Sequence, residues 1–136
     1  MDISLPLVGP VVGIGVDITD VSRIGEILDR QGKRFIERVF TEEEYEYCLS
    51  HKYSNKHFAA RFAAKEAVAK AFSTGIGEYL NWTSVSVSRG DRGQPIVFLD
   101  EKGSALLKMV GGKGVSISLS HTDETAIAFA AIIGKG

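Results

Sequence analysis

The stretch FAARFAAKEAVAKAF, from Phe58 to Phe72, is dominated by alanine and contains neither glycine nor proline. It predicts a helix, because alanine is the strongest helix former and nothing in the segment breaks the backbone ladder. The small side chains allow another backbone or a ligand to approach closely. A helix built only for a solvent face rarely needs small residues on every side.

Upstream, Val12-Gly13-Ile14-Gly15-Val16-Asp17-Ile18 alternates. Val12, Ile14, Val16 and Ile18 share one face of a predicted strand, and Gly13, Gly15 and Asp17 share the other. The bare glycine face leaves room for something large beside a carboxylate. Thr19 or Asp20 is placed to cap a following helix with an apolar stripe of Val21, Ile24, Ile27 and Leu28, which Gly32 ends. Thr41-Glu42-Glu43-Glu44 is a capping-box pattern opening a short helix to about Leu49.

Downstream, Gly75 and Gly77 break the long helix. A strand is expected over Trp82 to Ser88, a turn at Gly90 to Gly93, a second strand from Pro95 to Leu99 and a helix from about Glu101 to Val110. Val115, Ile117 and Leu119 alternate with Ser116, Ser118 and Ser120, and after a polar turn Thr125 to Ile133 returns as the second arm of a hairpin. The fold class expected is α+β, with a mainly antiparallel sheet packed against helices.

The 136 residues suit one domain, and 44% hydrophobic content is enough to bury a core. Sixteen Lys and Arg against 17 Asp and Glu provide no general phosphate field, so nucleic acid is not expected as a partner. The single cysteine, Cys48, and the absence of zinc-like Cys/His spacing fit a reducing cytoplasm. The start has no signal-peptide pattern, and no apolar run reaches the roughly 18 residues of a membrane helix.

Among residues able to carry chemistry, Asp17 at the end of its strand could hold a hard cation such as magnesium or simply cap the next helix. Glu66 and Lys70 stand four apart, as do Arg61 and Lys65 on an adjoining face, which by itself describes ordinary surface pairs. The functional alternative joins Glu66 to Asp17 as paired carboxylates for one metal, with Lys70 near a phosphate. His121 and Thr122 at a strand end could bond a phosphate or merely a turn backbone. His51 and His57 read as solvated surface residues. Arg23, Arg30, Lys33, Arg34 and Arg38 form a basic strip that could steer an acidic partner. Neither Gly-Ile-Gly segment has the remainder of a dinucleotide fingerprint.

Together GIGVDITDVSRI (Gly13–Ile24), RFAAKEAVAKAF (Arg61–Phe72) followed by TGIG, and SISLSHT (Ser116–Thr122) resemble the holo-acyl-carrier-protein synthase family of 4'-phosphopantetheinyl transferases. The resemblance runs from about Val12 to Ile133. It implies that fold over one domain, residues 1–136, with residues 1–11 as an extension. It also implies transfer of 4'-phosphopantetheine from coenzyme A to a serine of apo acyl carrier protein, magnesium as cofactor, and a homotrimer with interfacial active sites. By the same resemblance Asp17 and Glu66 match metal ligands, and Lys70 matches the lysine near the pyrophosphate. Arg61, Gly93, Gln94, Pro95, His121 and Thr122 match coenzyme A contacts, although Gln94 stands where a basic residue is common. Arg23, Arg30 and Arg34 match a carrier docking surface. Asp17, Glu66 and a water on the metal are all open as acceptor of the serine proton. The competing readings are a non-catalytic module for an acidic protein and a different magnesium enzyme acting on a nucleotide pyrophosphate.

Overall fold

A computed structural model describes residues 7–136; the start of the expected N-terminal extension, residues 1–6, lies outside the described residues. Strand β1 (Val11–Asp20) leads into helices α1 (Val21–Gln31), α2 (Lys33–Val39) and α3 (Glu42–Leu49), and then into the long helix α4 (Ser54–Ala71). A single 3-10 turn (Trp82–Ser84) precedes the hairpin of β2 (Val85–Arg89) and β3 (Pro95–Leu99). Helix α5 (Glu101–Met109) and the hairpin of β4 (Gly112–His121) and β5 (Thr125–Gly134) follow. The α+β expectation holds, with the antiparallel strands divided between a three-stranded sheet, β1-β5-β4, and the separate pair β2-β3.

Local signals explain most boundaries. Gly32 ends α1 with φ +53°, a left-handed conformation that glycine adopts without Cβ strain. Thr41 and Glu44 form the expected capping box at α3. Asp20 occupies the N-cap of α1 without a side-chain cap bond, and the Thr19 hydroxyl turns back to donate to Asp17 Oδ2 at 2.7 Å. The strand expected from Trp82 begins only at Val85, because Asn81 and Ser84 first close a reciprocal cap on the 3-10 turn.

Helix α4 lies across β1 and β5, and Ala63, Ala64, Ala67 and Ala69 have no solvent exposure. The glycine face of β1 does not open a space for a ligand, as its bare pattern suggested; the backbone of α4 fills it. A Cβ built on Gly15 would collide with the Ala67 carbonyl oxygen and stand 2.7 Å from the Ala71 amide nitrogen. On β5, Ala126, Ala128 and Ala130 give α4 the same close approach. Alanine on the helix and glycine or alanine on the strands thus bring backbone against backbone.

The described residues leave the opposite face of this sheet uncovered. Ile14, Val16 and Ile18 of β1 register with Ala131, Phe129 and Ile127 of β5. Ile14 and Ile18 are 61% and 67% exposed, Val16 and Phe129 are 49% and 45% exposed, and β4 adds Ser116, Ser118 and Ser120 to the same face.

Gly15→Ala is expected to lower stability by about 2 kcal/mol, since overpacking against a backbone that cannot yield costs on the order of 1–3 kcal/mol and outweighs the gain from replacing glycine. Chemical denaturation measures this. An unchanged or raised midpoint would refute the backbone packing.

Candidate functional site

Two of the helical side chains expected at the surface are inside. Lys65 has no exposed side-chain area; its ammonium lies 2.6 Å from Glu44 Oε1 and donates to the carbonyls of Trp82, at 3.1 Å, and Val85. Burial draws the Lys65 pKa below its ordinary value, while Glu44 acts in the opposite direction. Glu44 Oε1 also accepts from the Thr41 amide at 2.9 Å, and Oε2 accepts from the Val87 amide at 2.9 Å. One ion pair therefore joins α3, α4 and β2. Arg61 is 5% exposed, not half of a surface pair with Lys65.

The structure brings Asp17, Glu66 and Lys70 together. Asp17 shares the parity of Gly13 and Gly15, so it faces α4 where Glu66 and Lys70 project. Lys70 Nζ donates to Asp17 Oδ1 at 3.0 Å and to the Val16 carbonyl at 3.1 Å, and its side chain remains half exposed. Burial and then the Asp17 charge raise the Glu66 pKa above its ordinary value. Asp17, Thr19, Asp20, Arg23, Phe62 and Glu66 line one cleft of about 280 Å³.

These donors suit a hard divalent cation. The Asp17 charge adds to burial in raising the proton affinity of Glu66, a balance a cation would reverse, and magnesium commonly takes one or two carboxylates plus phosphate oxygens and waters. No cluster of three or more His, Cys, Asp or Glu exists among the described residues, so such an ion would draw its remaining ligands from substrate and solvent.

A second cleft, about 200 Å³, opens on another side of α4. Arg61, Gly93, Pro95 and His121 line it with Tyr47, His57, Ser88 and Arg89. The Arg61 guanidinium lies 4.0 Å from the Tyr47 ring centre, Arg89 lies over the same ring at 5.3 Å, and Arg89 Nη1 donates to the Tyr47 hydroxyl at 2.9 Å. Arg61 Nε is buried without an acceptor among the described residues.

Gln94 and Thr122 are placed differently from the other expected coenzyme A contacts. Gln94 Oε1 accepts from the Arg92 amide at 2.8 Å within its own turn. The Thr122 hydroxyl accepts from the amides of Glu124 and Thr125 at 3.2 and 3.1 Å. Neither lines the second cleft. Arg23, Arg30 and Arg34 are exposed and have no ion-pair partner among the described residues, whereas Lys33 pairs with Glu37.

His51 and His57 are not solvated surface residues. His57 sits in the first turns of α4, half-buried, with ring centres 4.1 Å from His51, 5.5 Å from His121 and 5.7 Å from Tyr47. Tyr47, His57 and Arg89 were missed as site residues because they are far apart in sequence. The spacing of His57 and Arg61, four apart on a helix, was the available signal.

Residues 13–130 match the family model described as the 4'-phosphopantetheinyl transferase superfamily, and the chain belongs to that family. A holo-[acyl-carrier-protein] synthase of Chlamydia trachomatis is 46% identical over 118 residues, covering 87% of this chain and 96% of that one. One from Ruminiclostridium cellulolyticum is 42% identical over 120 residues, 88% and 90% of the two chains. Among solved structures, holo-[acyl-carrier-protein] synthase from Neisseria meningitidis superposes with a TM-score of 0.84 at 32% identity, covering 90% of this chain and 98% of that one. The Bacillus anthracis enzyme in complex with CoA (3',5'-ADP) has a TM-score of 0.77 at 35% identity, covering 92% and 98%.

Replacing Asp17 by Asn is expected to lower the Glu66 pKa toward its ordinary value, leaving burial opposed by the Lys70 charge. Carbon NMR of the Glu66 carboxyl reads the shift. No change would mean that the two carboxylates do not share a site.

Proposed function

We propose that this protein transfers the 4'-phosphopantetheine group of coenzyme A to a serine of an apo acyl carrier protein, leaving adenosine 3',5'-bisphosphate. The observation that carries the reading is the convergence of Asp17, Glu66 and Lys70 at one cleft of α4, with the cationic Arg61 cleft on the same helix. The family and its synthase relatives supply the reaction class.

In this reading the phosphate-bearing end of coenzyme A lies toward Arg61, Gly93, Pro95 and His121, and its pyrophosphate lies toward Lys70. Gln94 and Thr122 contribute by fixing the turns that frame the cleft. The half-exposed Lys70 ammonium can follow the charge that grows on the departing phosphate, while Asp17 and the Val16 carbonyl hold it in position. The serine oxygen forms the new bond to the pantetheine-bearing phosphorus as the bond to the bisphosphate breaks. Both Asp17 oxygens already accept hydrogen bonds, so Glu66 is the better acceptor for the serine proton. Asp17 and Glu66 would hold magnesium, whose charge would neutralise the pyrophosphate.

Arg23 opens onto the Asp17 cleft, and Arg30 and Arg34 continue a positive surface suited to an acidic carrier. The uncovered face of Ile14, Val16, Ile18, Ile127 and Phe129 supports self-association as a trimer, in which neighbouring chains complete the active sites. No described helix is long and apolar enough to cross a membrane. The buried Cys48 thiol, its pKa pushed up to about 12 by burial, is an inert core group that suits the cytoplasm.

Mass spectrometry of an apo carrier incubated with the protein, coenzyme A and magnesium should show phosphopantetheine on the carrier serine. An unmodified carrier would overturn the reading. Asp17→Ala and Glu66→Ala should each lower turnover about 100-fold or more, comparable to the loss of one stabilising group at a transition state. In the magnesium-free protein Glu66 should titrate above the ordinary carboxylate range, as read by carbon NMR of its carboxyl, and added magnesium should lower that titration.

A further inference from the structure

All three histidines of the chain meet beside the second cleft: His51 after α3, His57 in α4 and His121 at the end of β4. We propose that this cluster makes the cleft a proton-coupled clamp, in which a phosphate monoester seated against Arg61 and Arg89 draws a proton from solvent onto the imidazoles, His57 foremost. The proposal rests on the reading that the cleft takes the phosphate-bearing end of coenzyme A.

The surroundings of His57 explain the coupling. Tyr47 and His51 face it from α3 and the turn after it, Lys56 and Arg61 from its own helix, and His121 from β4. The neighbouring carboxylates are already engaged: Glu44 with Lys65, Glu43 with the Ser88 hydroxyl at 2.6 Å, and Asp123 with Lys56 at 3.1 Å. Burial first, and then the cationic surroundings of the resting cleft, hold His57 neutral, its pKa lowered from 6.5 to about 4. A bound dianion supplies the missing counter-charge and reverses that balance. His51 Nδ1 lies 2.7 Å from the Tyr47 carbonyl, which can only accept, so Nδ1 carries the proton. The orphaned Arg61 Nε marks the same cleft as lacking an acceptor.

Calorimetric titration with adenosine 3',5'-bisphosphate at pH 7, in two buffers of different ionisation enthalpy, counts the protons taken up. The wild type should take up about half a proton more than His57→Asn, and the ratio of their affinities should grow roughly two- to threefold per unit fall in pH between 8 and 6.5. The ligand's own ionisation is common to both proteins and cancels in the comparison. Histidine NMR of the wild type needs no variant: saturation with the bisphosphate should move the His57 titration from about 4 to about 7, where half a proton is held at pH 7. Equal proton counts, or a His57 still titrating near 4 when saturated, would overturn the clamp. A protein that modifies the carrier but shows no linked proton would lose this inference alone, whereas one that does neither would lose the transferase reading as well.

Discussion

The ammonium of Lys65 lies in the interior of the protein, 2.6 Å from Glu44 and against the carbonyls of Trp82 and Val85. An unpaired charge at that depth would cost several kcal/mol, so every partner has to be in place. The partners belong to different elements. Glu44 opens α3 through its capping box and, through its second oxygen, holds the Val87 amide of β2. This network fixes the rotation of α4 about its axis. Successive helical residues lie about 100° apart, so seating Lys65 inward turns Glu66 toward Asp17 and places Arg61 over Tyr47.

From that rotation the two clefts follow. Arg61 and Glu66 are separated by about 7.5 Å along the helix and point to different sides of it. A substrate with phosphates at two places along its length can engage both. The strand side is equally constrained: glycine and alanine on β1 and β5 let α4 come close enough for Lys70 to reach the Val16 carbonyl and Asp17. The closeness that packs the core also assembles the carboxylate and ammonium groups.

Sequence patterns exposed α4, the Thr41–Glu44 box and the β4-β5 hairpin, because periodicity and caps are local signals, whereas Asp17, Glu66 and Lys70 are joined only as one of two open readings and through the family resemblance. Lys65 could not be read the same way. A lysine beside a glutamate on a helix looks solvated, and only the tertiary partner Glu44 reverses that. Nor could β1 be oriented from parity, since its apolar residues face outward while its glycines face the core. The histidine cluster is not a local pattern: the turn between α3 and α4 brings His51 to His57, and only the docking of β4 beside α4 adds His121.

The most direct test of this dependence is a double-mutant cycle on Glu44 and Lys65, read by chemical denaturation of Glu44→Gln, Lys65→Met and the double variant. Each single change should cost about 3–5 kcal/mol by leaving the partner charge buried and uncompensated, and the double variant should cost much less than their sum. Strictly additive losses, or single variants as stable as the wild type, would contradict the account.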